Sequence, residues 1–344
     1  MKKKIKGKKQ AFRECRICVN STRNPAVSLN KSGLCKTCAQ YRKYFNSKHL
    51  AREFSFFKSF IGKGKGAYDI MVGISGGKDS SAMLRMLKKR GFRILAFSFD
   101  TGYYPKHIFQ RAASVANRLS VDYKRIDIRK YIRPIDRKSF AMMADLYEEK
   151  PSEVLKEKFR TLYAEGRKHY SVKCQHALPF VRTCQLCRRV VIRAYVAEAL
   201  KRNISMVVLG INEWAHLSQS GSKHIFSAIR KLKPYTDKQV VYIVHSPFLF
   251  QRKAADTRKI LKKMGWWKLP KGEGLIESNA NSCLLARATE KKAIEMLGFH
   301  PDSTRLSREI TAGFITKEQA KLALSKAHHS RYSVRRVLRR AGIL

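Results

Sequence analysis

Acidic residues are the scarce class in this chain: 25 Asp and Glu stand against 73 Lys and Arg, a formal charge of +48 over 344 residues. No ordinary fold requires such an excess, which repels itself as the chain compacts, so a polyanionic partner is the economical explanation. Long apolar runs are missing too. No window approaches the ~20 apolar residues of a membrane span, and the charged start MKKKIKGKKQAF leads into no apolar stretch of the kind a secretory signal needs. We therefore expect a soluble, cytoplasmic protein with no membrane partner. The basic residues are spread along the whole chain and not gathered on one amphipathic helix, which makes nucleic acid the better-fitting polyanion. In a reducing compartment the eight cysteines read as metal ligands or reactive thiols and not as a disulfide framework. No internal repeat at a fixed period is present.

The length allows two or three domains, and composition separates three regions. Residues 1–61 hold a lysine-rich tail, four cysteines and the helical pattern YRKYFNSKHLAREFSFFKSFIG. GKGKGA links them to a stretch, residues 67–250, that alternates strand and helix. Here IMVGI, RILAFSF, DYKRIDI, SMVVLG and QVVYIVHSPFL are the strands. SAMLRMLKKR, HIFQRAASVANRLS and RRVVIRAYVAEALKR are helices, and a polar helical insert spans about 136–170. Such alternation predicts an α/β fold with a doubly wound parallel sheet. Residues 251–344 read as a basic helical region.

The turn ISGGKDSS (74–81) leaves the first strand of that sheet and opens a helix. In an open parallel sheet, ligands bind at the carboxyl ends of the strands, where backbone amides and a helix amino-terminus carry positive potential. Gly76 and Gly77 let the backbone approach phosphate oxygens, Lys78 adds charge, and Ser75, Ser80 and Ser81 offer hydroxyls. The turn lacks the G-x-x-x-x-G-K-[ST] spacing of the common NTPase loop. It resembles instead the signature of the PP-loop ATP pyrophosphatases. That resemblance implies an ATP site, with magnesium, at Ser75, Gly76, Gly77, Lys78, Asp79 and Ser80, and attack on the α-phosphate with release of pyrophosphate. The segment SFDTG places Asp100 at the family's second nucleotide-contacting position, although an Asp closing a strand also serves as a turn former.

Two cysteine sets follow different logic. Cys15-x2-Cys18 and Cys35-x2-Cys38, sixteen residues apart, have the spacing of a structural four-thiolate zinc ribbon. Cys184-Gln185-Leu186-Cys187 stands just before the helix RRVVIRAYVAEALKR, and Cys283 lies further on. Three thiolates can hold a four-iron, four-sulfur cluster with one iron open, carry sulfur as persulfides, or join Cys174 in a second zinc site.

The segment CQLCRRVVIRAYVAEALKRNISMVVLGIN resembles the tRNA thiolases of the two-thiocytidine and two-thiouridine type, whose three catalytic cysteines match Cys184, Cys187 and Cys283. The ribbon matches the zinc finger of the two-thiouridine branch. The family's G-H-N-x-D-D turn reads here Gly210-Ile211-Asn212-Glu213-Trp214-Ala215, which keeps Gly210 but loses the acidic pair and leaves Glu213 as the nearby carboxylate. The likeness implies ATP-dependent thiolation of a tRNA pyrimidine, with Lys78 and Asp79 assisting, a protein or sulfide as sulfur donor, and a homodimer as one assembly open to it.

A second resemblance competes. CRICVNSTRNPAVSLNKSGLCKTC and LSREITAGFITKEQAKLAL are similar to the ribbon and C-terminal helices of the N-acetyl-sugar amidotransferases, which receive ammonia from a glutaminase partner. A non-catalytic zinc-ribbon RNA-binding protein is the third reading. For RNA contact, Tyr41, Tyr44, Phe45 and Phe54 offer rings that either stack on bases or line a core. The run Arg331 to Arg340 is either a phosphate binder or a solvated helix face.

Overall fold

The computed structural model describes residues 12–169, 171, 175–232, 239–265 and 283–344. The lysine-rich start, Cys174 and the residues just before Cys283 lie outside the described residues. After the cysteine ribbon come α1 (Lys36–Tyr44) and α2 (Ser47–Lys58). These two replace the single helix expected from the sequence. Phe45 is extended, and the Asn46 side chain accepts from His49 N at 2.9 Å, so a new helix is capped where the old one would have continued.

The alternating region then runs β1 (Ile70–Gly73), α3 (Lys78–Lys88), β2 (Ile94–Asp100), α4 (Lys106–Arg118) and β3 (Asp122–Asp127). Next come α5 (Pro134–Glu148), α6 (Glu153–His169), α7 (Thr183–Leu200) and β4 (Met206–Leu209). A hairpin, β5 (His216–Ser220) and β6 (Lys223–Ser227), precedes β7 (Ile229–Leu232), β8 (Val241–His245) and α8 (Ser246–Leu249). The rest is α9 (Ala254–Lys262), α10 (Leu284–Leu297), α11 (Ser303–Thr311), α12 (Lys317–Leu324) and α13 (Val334–Arg340).

The sheet has six strands in the order β3-β2-β1-β4-β8-β7. Every pairing is parallel except that of β7 with β8. The expected α/β sheet is therefore present, with an antiparallel edge and a hairpin that the sequence did not announce. His245-Ser-Pro-Phe-Leu leaves the strand for a helical turn, because Pro247 sits where a helix tolerates it and a strand does not. The chain winds outward from β1 to β3, then returns to place β4 on the other side of β1. That reversal opens a crevice at the carboxyl ends of β1 and β4.

Strand residues alternate between two cores. Ile70, Val72, Ile94 and Ala96 face α3, α4 and the ribbon, whereas Met71, Leu95, Phe97 and Val207 face Val190 and Ala194 of α7. A third core joins α5 and α6 to α10 and α13, through Phe140, Met143, Phe159, Tyr163, Leu285 and Leu338. The insert that reads as polar thus buries an apolar stripe spaced at helical period among its charges.

One buried ion cluster fastens α5 to α7. Asp136 and Arg189 are both fully buried and approach to 3.3 Å, Arg193 binds the second carboxylate oxygen, and Arg133 N donates to it at 3.0 Å. Removing the carboxylate would strand two cations in a low-dielectric interior. Asp136→Ala is expected to cost about 3–5 kcal/mol of folding stability, measured by urea unfolding.

Candidate functional site

The turn after β1 is pinned from three sides. Ile74 N donates to Phe97 O at 2.8 Å and Ser98 Oγ donates to Ile74 O at 2.5 Å, tying the turn to β2. Gly76 has φ +66°, and a Cβ there would lie 2.7 Å from both Ala112 N and Arg111 Cβ of α4. Only glycine fits. Ser80 Oγ accepts from Ser75 N at 3.2 Å and donates to Gly77 O at 3.1 Å, while Ser81 Oγ donates to Gly77 O at 2.8 Å. These serines brace the turn. Gly77 is the N-cap of α3 and offers no side-chain cap, so the amides of the first helical turn keep their positive end for an anion. A Cβ added to Gly210, after β4, would lie 3.5 Å from Ser80 Cα, so this glycine packs against the start of α3 as the other wall.

Asp79, Asn212, Arg252, Lys253, Thr257 and Phe314 line a crevice beside this helix start. Arg252 was not singled out in the sequence. It is buried and donates to Asp79 O at 3.3 Å, and its Nη2 pairs with Asp79 Oδ1 at 3.8 Å, yet Nε and Nη2 have no partner at hydrogen-bond distance. Burial pulls its pKa below the usual arginine range. A buried guanidinium with unspent donors beside a helix amino-terminus suits a phosphate. Its only sequence signal is that it is the first basic residue after the last strand.

Where the thiolase resemblance has an acidic pair, this chain has carboxylates already neutralised. Glu213 is buried and paired with Arg308 at 2.6 Å, and Glu309 is paired with Arg305. Burial raises Glu309 to about 6, with Arg305 opposing and Glu213 and Asp79 adding to the rise. His245, buried beneath this turn, hydrogen-bonds through Nδ1 to Glu213 O at 2.8 Å, and burial lowers it to about 4. Arg305 also meets Asp302, which reaches Arg182 at 3.5 Å, the residue next but one to Cys184. Asp100 engages both oxygens within the fold, accepting from Gly102 N at 2.8 Å and Arg125 Nε at 2.9 Å.

Cys184 and Cys187 are the second and fifth residues of α7 and so lie inside the helix, not before it as the sequence suggested. Cys283 is the N-cap of α10, its Sγ accepting from Ala286 N at 3.4 Å. Tyr103, three residues beyond Asp100, joins the two: its hydroxyl lies 2.6 Å from Cys187 Sγ, and its carbonyl accepts from Leu284 N at 3.4 Å. Burial pushes all three thiols up, Cys283 to about 12 and Cys187 well above the ordinary range, with the neighbouring thiols adding to the rise at Cys187. Cys187 and the start of α10 at Cys283 are thus joined just beyond β2, while among the described residues the ribbon cysteines are the only group of three or more potential ligands drawn together closely enough to share a metal ion.

The ribbon cysteines are all buried, and their sulfurs lie within 4.8 Å of one another; Cys18 and Cys35 are 3.7 Å apart. Metal–sulfur bonds of about 2.3 Å in a tetrahedron place sulfurs about 3.8 Å apart, so the four cysteines can bind a metal ion. Hydrogen bonds from Cys18 and Cys38 lower the Cys35 thiol. Asn20 Nδ2 donates to Cys35 Sγ at 3.4 Å, and Cys38 meets Thr311 of α11 at 3.1 Å, an outer layer that orients the sulfurs. Tyr41 stacks on Phe45 and Trp214, and Phe54 packs edge-on against Phe250, so these rings hold the ribbon helices to the sheet.

Residues 69–184 match the family model of the queuosine biosynthesis protein QueC. The match takes in about a third of the chain, including the phosphate turn, and over that stretch the chain is similar to a member of the PP-loop ATP pyrophosphatases. Members of the PP-loop superfamily use ATP and form AMP and pyrophosphate. Among solved structures it is similar to the NH3-dependent NAD synthetase from Campylobacter jejuni, at 13% identity and TM-score 0.25 over 47% of this chain. It is also similar to the NMN synthetase from Francisella tularensis, at 13% identity and TM-score 0.19, over 42% of this chain and 69% of that one. The match spans 55% of the NAD synthetase, and likenesses this loose carry no activity with them. No curated protein matches the chain. No described helix is long and apolar enough to cross a membrane.

If the PP-loop turn cradles phosphate, Gly76→Ala should abolish ATP binding, measured by isothermal titration calorimetry, while circular dichroism shows the helices retained. With a metal bound at the four-cysteine ribbon, a chelator added without denaturant should lower the melting temperature.

Proposed function

We propose that the protein is an ATP-dependent tRNA thiolase, in which a pyrimidine carbonyl oxygen is adenylated at the PP-loop and replaced by sulfur at the Cys184, Cys187 and Cys283 site. The observation that supports this reading is Tyr103, which lies just beyond β2, the strand adjoining the phosphate turn, and meets Cys187 through its hydroxyl and Leu284, next to Cys283, through its carbonyl.

The chemistry balances in two displacements. The carbonyl oxygen attacks the α-phosphate of ATP, forming an O-adenylyl base and releasing pyrophosphate. Hydrosulfide then adds at the same carbon, the C–O bond breaks, AMP leaves with the oxygen, and one proton is lost to give the thiocarbonyl. Without adenylation the oxygen has no way to depart at neutral pH. Lys78, Arg252 and the first amides of α3 would hold the phosphates and offset the charge that develops as pyrophosphate leaves. Asp79, at the start of α3 and 3.8 Å from Arg252 Nη2, would be the carboxylate nearest the phosphates to hold magnesium.

The trio suits a group that brings positive charge, because buried thiols with raised pKa values stay protonated until a cation draws off the proton. An iron–sulfur cluster bound there would supply an open iron for sulfide. At the ribbon we propose zinc in a structural role, since the site is closed by four sulfurs.

One observation favours the amidotransferase reading. The ribbon and the C-terminal segment that share that resemblance pack on each other: Lys317 Nζ donates to Cys15 O at 2.7 Å, and Glu14 lies 3.1 Å from Lys317 and Lys321. Such packing explains the likeness without involving the thiols.

Mass spectrometry of nucleosides from tRNA incubated with protein, ATP and sulfide under anaerobic conditions should show a thiolated pyrimidine. Turnover of an N-acetyl nucleotide sugar with ammonia, and no thionucleoside, would replace this reading by the amidotransferase; RNA binding with neither reaction would leave a binding protein. Cys187→Ala should abolish thiolation with ATP affinity unchanged.

A further inference from the structure

α13 and the residues just before it carry a concentration of cations. The guanidiniums of Arg331, Arg336 and Arg340 sit 4.9, 4.7 and 4.8 Å from the ring centroid of one tyrosine, Tyr332. Hydrogen bonding from Arg340 and the charge of Arg331 hold the Tyr332 hydroxyl below its ordinary range. Among the described residues no carboxylate lies within ion-pairing distance of these three, whereas Arg335 on the same helix is bound to Asp145 and Glu148. Three like charges gathered on one ring repel one another, and the attraction of the ring face offsets only part of that in water. A bound anion relieves the repulsion.

The position of the patch says which anion. The inner side of α13, Val337 and Leu338, packs in the same core as Tyr103 and Cys283. At the end of α13, a Cβ on Gly102 would meet Ala341 O at 2.7 Å, and Arg129 Nη1 donates to that same oxygen at 3.1 Å. Ile343 lines the small cavity that also holds Cys187 and Tyr103. The helix that presents these cations on its outer side therefore packs by its inner side against the core that holds the thiols. The exposed residues of α13 are Arg336, Arg339 and Arg340, with no apolar side chain among them to enter a bilayer. The Tyr332 ring is occupied by guanidiniums, so the surface offers charge and not a stacking platform.

We propose that Arg331, Arg336 and Arg340, organised on Tyr332, form the docking surface for the phosphodiester backbone of the RNA whose base reacts at the adjoining thiols. This rests on the thiolase reading for the identity of the RNA as tRNA. The patch would position the substrate strand without reading its sequence.

The test is fluorescence anisotropy with an end-labelled, unmodified tRNA transcript, across a salt series, for the wild-type chain and for the triple variant Arg331→Gln, Arg336→Gln, Arg340→Gln. Each lost phosphate contact removes about one unit from the slope of log affinity against log salt, so the triple variant should lose about 2–3 units. Arg335→Gln, whose cation is already paired, should keep the wild-type slope. A wild-type slope in the triple variant, or an equal loss per charge from Arg335→Gln, would overturn the surface while leaving the thiolase reading intact. Preference of the wild-type chain for vesicles of equal phosphatidylcholine and phosphatidylserine over tRNA would overturn both. Because the substituted arginines are exposed, matching circular dichroism melts confirm that the variant is folded.

Discussion

The crevice depends on one steric constraint, the contact between Gly76 and α4. With φ +66° and no room for a methyl group against Ala112 N, the chain turns tightly enough for α3 to begin at Lys78, directly over the carboxyl end of β1. The rest of the crevice follows from it. The uncapped helix start faces the gap where β4 is laid on the far side of β1, Gly210 closes that gap against Ser80, and Arg252 enters from behind β8. Had the turn been looser, the helix dipole and the buried guanidinium would not converge on one point.

The scarcity of acidic residues shapes the interior as well as the surface. Eight of the described carboxylates are buried, and each has a basic partner. Asp69 meets Arg93, Asp100 Arg125, Asp136 Arg189, Glu198 Arg202, Glu213 Arg308 and Glu309 Arg305, while Asp302 meets Arg182 and Glu290 meets two histidines. A buried carboxylate without a cation would be destabilising, so the fold commits a large share of its few acids internally. Few are left to neutralise surface arginines. The excess of positive charge is thus concentrated on the outside, where α13 displays it.

Much of this was legible before any coordinates. IMVG followed by SGGKDS specifies strand, turn and helix because glycine, apolar run and helix formers agree locally, and the four ribbon cysteines announce themselves by spacing. What stayed hidden depends on contacts distant in sequence. Asn46 breaks a continuous helical pattern through a single side-chain cap. The strands β5 to β7 are short and polar, and only pairing defines them. Arg252 gains meaning from Asp79, which lies far from it in sequence, and Tyr103 gains it from Cys187. The aromatic residues after the ribbon could not be assigned by pattern, because a ring at helical spacing looks the same whether it meets a base or Trp214.

Tyr103 also bears on how the phosphate turn and the thiols are kept in register. The segment from Asp100 to Tyr103 is held at its start by Arg125 and Gly102 N, and at its end by Cys187 and Leu284 N. It is short, largely buried and covered by Ala341. Motion of β2 relative to β1 is restrained by Ser98 and Ile74. A displacement of the phosphate turn is therefore transmitted through β2 to the thiols without a flexible linker intervening. Reactions that join an activated atom to an incoming one lose rate steeply when the two are misplaced. The four-residue strap from Asp100 to Tyr103 is the feature of this fold that ties the strand beside the phosphate turn to Cys187 and to the start of α10, with Ala341 after α13 closing over it.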